Sequence, residues 1–325
     1  MQPQQLRHRI TRTIGLLPVA TLTDSRLLRD LVGQINEYNT MQRTLPPGLV
    51  ATEDRLAAMT ATLRRIDAIA GARVATAAGA DAGVLGNLLL EVAEQLEVVA
   101  DLGVLRRLPS AVPAAELHVC WAGGEIRPAT LDNVLAWAAT ARAAGWAVTV
   151  WTGPRHNAWP ERTVRRLEEA GVRLASVDRA VIDPRLWAAY EAVTTAEKPD
   201  FPAASDLTRY SILATHGGVS VDAGLPPIRP EALDGLRVPL PLPLTGVVHD
   251  HTCVVSPAGS PALSAVIDGL AELTAFGDPA QLKPFLIGYV AEAAGIDPDR
   301  AADVVALALS APLPLGQPAP APIGS

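Results

Sequence analysis

Leu117-His-Val-Cys-Trp121, followed at once by Ala-Gly-Gly124, is a short apolar run that breaks at a glycine turn. That is the mark of a buried strand. Downstream, the apolar spacing from Leu131 to Ala144 predicts a helix closed by Gly145, and Ala147-Val-Thr-Val-Trp151 predicts the next strand. Glu161 to Ala170 then predicts a helix ending at Gly171, before a third strand beginning Val172-Arg-Leu174. Strand, helix, strand, helix, strand implies a mainly parallel sheet with right-handed crossovers and helical cover. Ligands on such sheets bind beyond the carboxyl ends of the strands. Trp121, the turn Trp151-Thr-Gly-Pro154 and Asp222 all fall at such ends in this reading.

Upstream the pattern is helical. Leu27, Leu28, Leu31 and Ile35 recur at helical spacing after Thr23-Asp-Ser25. Leu56, Met59, Leu63, Ile66 and Ile69 form a second stripe behind Thr52-Glu-Asp54, residues suited to a helix start. A third helix is expected from about Gly86 to Val99, with Leu89, Val92, Leu96 and Val99 inward and the Gly/Ala-rich stretch 71–83 separating it from the second. Such a set is a packed bundle or layer, or a surface for docking to a membrane or partner. Downstream, residues 245–256 read as a strand pair or a strand and turn, and helices are expected at about 260–274, 282–294 and 298–309. The expected division is 1–110 helical, 111–310 α/β, and 311–325 a proline-rich tail without charge.

With 49% apolar and 19% charged residues in 325, the chain has material for a sizeable core. A net charge of −7 argues against nucleic acid as the partner, because phosphate neutralisation needs clustered Lys and Arg. Two isolated cysteines, Cys120 and Cys253, make no disulfide framework and read as buried residues of a cytoplasmic protein. No apolar run is long enough to span a bilayer. The apolar segment Ile14-Gly-Leu-Leu-Pro-Val-Ala20 is short and broken by proline, so a signal peptide is not expected.

The chemistry-bearing residues lie in Ala203-Ala-Ser-Asp-Leu-Thr-Arg-Tyr210 and His216-Gly-Gly-Val-Ser-Val-Asp-Ala-Gly224. Asp206 and Arg209, three apart, share one helix face. Gly217-Gly218 then turns the chain into a short strand that ends in the carboxylate of Asp222. An arginine fork suits a diphosphate because it donates hydrogen bonds in pairs. Further on, His249-Asp250-His251 has three readings. With both imidazoles on one strand face, His249 or His251 joins Asp222 around a metal; or Asp250 or a histidine serves as acid/base; or the segment is a polar loop.

These segments resemble glycosyltransferases of the GT-A fold, and most of all the glucosyltransferase domain of the large clostridial toxins. There, L-H-F-V-W-I-G-G, A-S-D-x-x-R and G-G-V-Y-x-D-x-D follow in the same order. The likeness covers roughly residues 117–235 and implies a GT-A-like α/β core, Rossmann-type, with a mixed but mainly parallel sheet after the helical region. It implies that Trp121 stacks on the uracil of a UDP-sugar while the backbone of Val119 and Cys120 pairs with the base edge. Asp206 would bind sugar or ribose hydroxyls, Arg209 the sugar and phosphate, and Asp222 the ribose and metal shell. The family's Mn²⁺ or Mg²⁺ would lose its principal protein ligand, because Gly224 stands where the second Asp of the motif belongs, and Ser220 replaces the Tyr. The implied activity is retaining transfer from a nucleotide-diphosphate sugar to a small metabolite or a protein hydroxyl. The alternative is a scaffold repurposed for elimination, cyclisation, isomerisation or non-catalytic binding. The oligomeric state is open.

Overall fold

The computed structural model describes residues 25–43, 53–75, 80–153, 159–237, 239–241, 246–248, 253–272 and 282–309. In chain order the first elements are helices α1 (Ser25–Arg43), α2 (Glu53–Val74) and α3 (Ala80–Arg107). Next come β1 (Ser110–Ala111), β2 (Glu116–Trp121), α4 (Pro128–Ala143), β3 (Ala147–Thr152), α5 (Glu161–Glu169) and β4 (Val172–Ser176). They are followed by α6 (Trp187–Thr195), α7 (Phe201–His216), β5 (Gly218–Val221), α8 (Pro230–Asp234) and β6 (Leu240–Pro241). The last are β7 (Gly246–Val248), β8 (Cys253–Ser256), α9 (Pro261–Glu272), α10 (Leu282–Ala294) and α11 (Pro298–Leu309). The mixed α/β chain with a helical N-terminal region is the one the sequence pattern predicts. Its described residues form two compact units, one within 1–108 and 294–311 and one within 109–293. The expected division kept residues up to 310 with the α/β core; here α11 groups with α1 to α3.

The helical unit buries one face of each long helix. Met59, Thr62, Leu63, Ile66 and Ala70 are the inward residues of α2, close to the expected stripe. In α3 the inward residues include Leu85, Leu88, Val92, Gln95, Val99 and Leu102, at alternating spacings of three and four, with Val98 and Leu105 buried beside them. This corrects the expected stripe: Leu89 and Leu96 are only half-buried, because the face is set by a polar member, Gln95, that apolar periodicity overlooks. Gln95 Oε1 accepts from the Tyr38 hydroxyl at 3.0 Å, which satisfies a buried amide. α3 also starts earlier than expected, so the separating stretch is shorter. Arg300 of α11 bonds Asp101 at 2.9 Å and Glu97 at 3.0 Å on α3.

In the second unit, the main sheet among the described residues has the order β4-β3-β2-β5-β8-β7. The first four strands are parallel, β8 pairs antiparallel with β5, and β7 pairs antiparallel with β8, which returns it to the direction of the first four. One face carries Leu117, Val119, Val148, Val150, Val219 and Val221 against Leu131, Val134, Trp137 and Ala138 of α4. Alternation sends His118, Cys120, Thr149, Trp151 and Ser220 to the other face. That is the face on which α7 packs against β2 and β5.

Two residues fix the α7-to-β5 turn. Gly217 has φ +66° and Gly218 φ +96°, and a Cβ on either would collide with backbone, at Ala258 for the first and at the Glu116 carbonyl for the second. Only glycine satisfies both the positive φ and the close approach. At its other end α7 is capped by Asp200, whose carboxylate accepts from the Ala203 amide at 3.0 Å.

Candidate active site

The parallel strands β2 and β5 lie side by side, and both end at the same edge, β2 in Trp121 and β5 just before Asp222. The face of α7 turned to the sheet brings Arg209 beneath that edge, 3% exposed. Arg209 Nη1 meets Asp206 Oδ1 at 2.7 Å, and Nη2 stands 4.0 Å from Asp222 Oδ2. The Asp222 side chain is 55% exposed, whereas that of Asp206 is 18% exposed. One carboxylate is thus committed to the guanidinium, and the other faces outward beside it.

Burial opposes the charge on Arg209, yet Asp206, aided by Cys120, Tyr210 and Asp222, holds its pKa above the ordinary value. Burial likewise raises the Asp206 carboxyl above its ordinary value, against the pull of Arg209 and with a further push from Asp222 and Asp200. The pair is a dehydrated cation held against a close carboxylate.

Trp121 is half-buried, and its indole N–H donates to the Gly124 carbonyl at 2.7 Å, which fixes the ring over its own turn. Gly123 lies against the indole and against Phe201 at the start of α7. The next amide, Ala122, donates to Ser205 Oγ at 3.2 Å. Ser205 immediately precedes Asp206, so the Trp121 turn is bonded to the helix that carries the charged pair. Trp121, Asp206, Arg209 and Asp222 are therefore assembled at one sheet edge.

Val119 is placed inside the ladder, registered with Val150 on one side and Val221 on the other, with its side chain fully buried. Cys120 is registered with Trp151, one residue past the end of the β2–β5 pairing. Burial pushes the Cys120 thiol up to about 12, against Arg209, so it is a neutral thiol at physiological pH. His249, Asp250 and His251 lie outside the described residues.

Sequence reading missed several residues. Ser205, Phe201 and Asn133 carry no chemical pattern of their own, and their roles depend on contacts far along the chain. His118 is fully buried, donates from Nε2 to the Gly217 carbonyl at 2.9 Å, and accepts at Nδ1 from Trp151 Nε1 at 3.2 Å. Burial lowers its pKa to about 4, so the ring is a neutral structural bridge between β2, β3 and the glycine turn. The alternation of β2 put it opposite Leu117 but gave no sign of either partner.

The described donors do not suit a metal ion. Asp206 is taken by Arg209, Gly224 offers no side chain, and among the described residues no group of three His, Cys, Asp or Glu is arranged to hold one. A hard divalent cation wants several oxygens, and Asp222 alone is one carboxylate.

The fold and site define an α/β sheet protein with an aromatic, a buried arginine and two carboxylates at its strand ends. Among solved structures, the chain is similar to the PaToxG Glycosyltransferase, with a TM-score of 0.47 and 14% identity over 68% of this chain and 90% of that one. It is also similar to the catalytic domain of the alpha-toxin from Clostridium novyi, with a TM-score of 0.37 and 10% identity over 90% of this chain and 80% of that one. No protein-family model and no curated protein matches it.

Proposed function

We propose that this chain is a glycosyltransferase that binds a nucleotide-diphosphate sugar, UDP-sugar first among them. The observation that carries this is the placement of Arg209 between Asp206 and Asp222 at the ends of parallel strands, on the motif segments that resemble the toxin glucosyltransferases. Arg209 receives the diphosphate through paired N–H donors and stabilises the charge that develops as the glycosidic bond breaks. Asp206 orients sugar hydroxyls, Asp222 the ribose, and the indole of Trp121 carries the base, whose edge pairs with the backbone of Val119 and Cys120. Retention of anomeric configuration follows if the acceptor attacks on the face the diphosphate leaves, the leaving phosphate taking the acceptor's proton. The acceptor is a small metabolite or a protein hydroxyl. Asp250 and His251 are proposed for acid/base duty on the acceptor side, and His249 and His251 with Asp222 for any cation. Buried, free Cys120 and Cys253 fit work in the cytoplasm. No helix among the described residues is long and apolar enough to cross a membrane.

A second reading has its own support in Gly224, which leaves the site one free carboxylate. On that reading the scaffold binds a related ligand and runs another reaction or none. Melting temperature measured with UDP, UDP-glucose and GDP-sugars, with and without Mn²⁺, separates the two, since a ligand specific to the folded state raises it. A rise accompanied by sugar transfer or hydrolysis supports the first reading. Binding without either supports the second. The absence of any rise with every nucleotide sugar overturns the first.

A further inference from the structure

The carboxylate of Asp222 is held in place from the opposite face of the sheet. After Val221 the chain makes a tight turn in which the Leu225 amide donates to the Asp222 carbonyl at 2.9 Å. Asn133 of α4 reaches that turn with its side-chain amide, which donates to the Ala223 carbonyl at 2.6 Å and to the Leu225 carbonyl at 2.6 Å. Both partners are carbonyl oxygens, so only the NH₂ end of the amide satisfies them. One turn further along the same helix face, Trp137 Nε1 donates to the Leu225 carbonyl at 2.7 Å. Three hydrogen bonds from two side chains thus grip both arms of a turn whose first residue is Asp222.

Nothing else about Asn133 explains this arrangement. It is half-buried on a helix whose neighbours Leu131, Val134 and Trp137 make the core, and an apolar residue would serve packing there. Ala223 is 1% exposed, so the turn is pinned at its centre as well. Asp222 itself is 55% exposed and stands 4.0 Å from Arg209, too far for a direct hydrogen bond to hold it. Its position therefore comes from the backbone, and the backbone is set by α4.

We infer that Asn133 is a positioning residue for Asp222, with Trp137 as its partner, so that α4 fixes the spacing between the free carboxylate and the buried guanidinium. A ligand with a hydroxyl for Asp222 and an anionic group for Arg209 meets that spacing ready-made. This rests on the nucleotide-sugar reading for the identity of the ligand only; the clamp itself is a property of the fold.

The test compares wild type, Asn133→Ala, Asn133→Gln and Trp137→Phe in the full chain, by hydrogen–deuterium exchange and by calorimetric titration with UDP-glucose. In Asn133→Ala, exchange in the peptide covering 222–228 is expected to rise at least tenfold, with β2 and β3 unchanged. UDP-glucose affinity is expected to fall at least tenfold, and Asn133→Gln to recover part of both. Trp137→Phe keeps a six-membered aromatic ring while losing the pyrrole half of the indole and its one bond, so it gives a smaller rise even if Asn133→Ala does not fold. Unchanged exchange at 222–228 in both variants overturns the clamp. A looser turn with unaltered UDP-glucose affinity overturns its positioning role. If wild type binds no nucleotide sugar, the functional reading fails on its own, and exchange at 222–228 still decides the clamp.

Discussion

Arg209 and Asp206 form a buried ion pair at 2.7 Å in which the arginine side chain is 4% exposed and the aspartate 18%. Removing one member of such a pair leaves the other without compensation, at a cost of about 3–5 kcal/mol. Arg209→Ala is therefore expected to lower unfolding free energy by about that amount in urea titrations. It should also abolish binding of any diphosphate ligand. Asp206→Asn keeps a hydrogen-bond acceptor but leaves the more deeply buried guanidinium without its close carboxylate, so its stability loss should be of the same order as that of Arg209→Ala. A loss near zero in Asp206→Asn would show that the guanidinium does not need this partner.

The buried ring of His118 makes stability fall on the acid side. Its pKa is 6.5 in the unfolded chain and about 4 in the fold, because burial disfavours the charged ring. Above pH 6.5 both states are neutral and the contribution is complete. As pH drops from 6.5 through 4, the unfolded chain takes a proton that the fold refuses. The stability lost across that window is roughly 3 kcal/mol. Urea midpoints at pH 7 and pH 4.5 check this, and His118→Gln should remove most of the slope between them.

Gly218→Ala should be poorly tolerated. Its φ of +96° is strained for any side chain, and the added methyl would strike the Glu116 carbonyl. Strain alone contributes on the order of 1–3 kcal/mol, and the collision adds to it. Thermal melting is the measurement.

Gly224→Asp is the contrasting case. Nothing lies within 4 Å of a Cβ built there, so the variant should melt within a degree or two of wild type. With a second carboxylate beside Asp222, Mn²⁺ affinity measured by calorimetry should rise.

Trp121→Ala should weaken binding of UDP by about 1–3 kcal/mol, the worth of one base stacked on an aromatic ring. Loss of this size with uridine, and none with a phosphate-only probe such as pyrophosphate, would assign the indole to the base.

The alternation of strand and helix from Leu117 to Ser176 was legible because apolar period and glycine stops agree there. Asp206, Arg209 and Asp222 were legible because their spacing sets a helix face and a strand end. What stayed hidden was cross-chain geometry. Ser205 reaches Ala122 over 83 residues of sequence, Asn133 reaches Leu225 over 92, and no local pattern records such a meeting. Two members of the inward face of α3, Leu89 and Leu96, were misread by one position for a related reason, while Val92 and Val99 are buried as expected. A buried Gln95 paired to Tyr38 counts as polar in any hydrophobic stripe.

The route from Arg209 to Asp222 is thirteen residues long (222 − 209) and passes through two glycines that admit no substitute. A helix turns by about 100° per residue and a strand reverses face with each step. One inserted or deleted residue on that route would swing the guanidinium away from its partner or aim the carboxylate through the sheet. The interval is therefore open to changes of letter and closed to changes of length, so natural indels and engineered linkers must fall elsewhere.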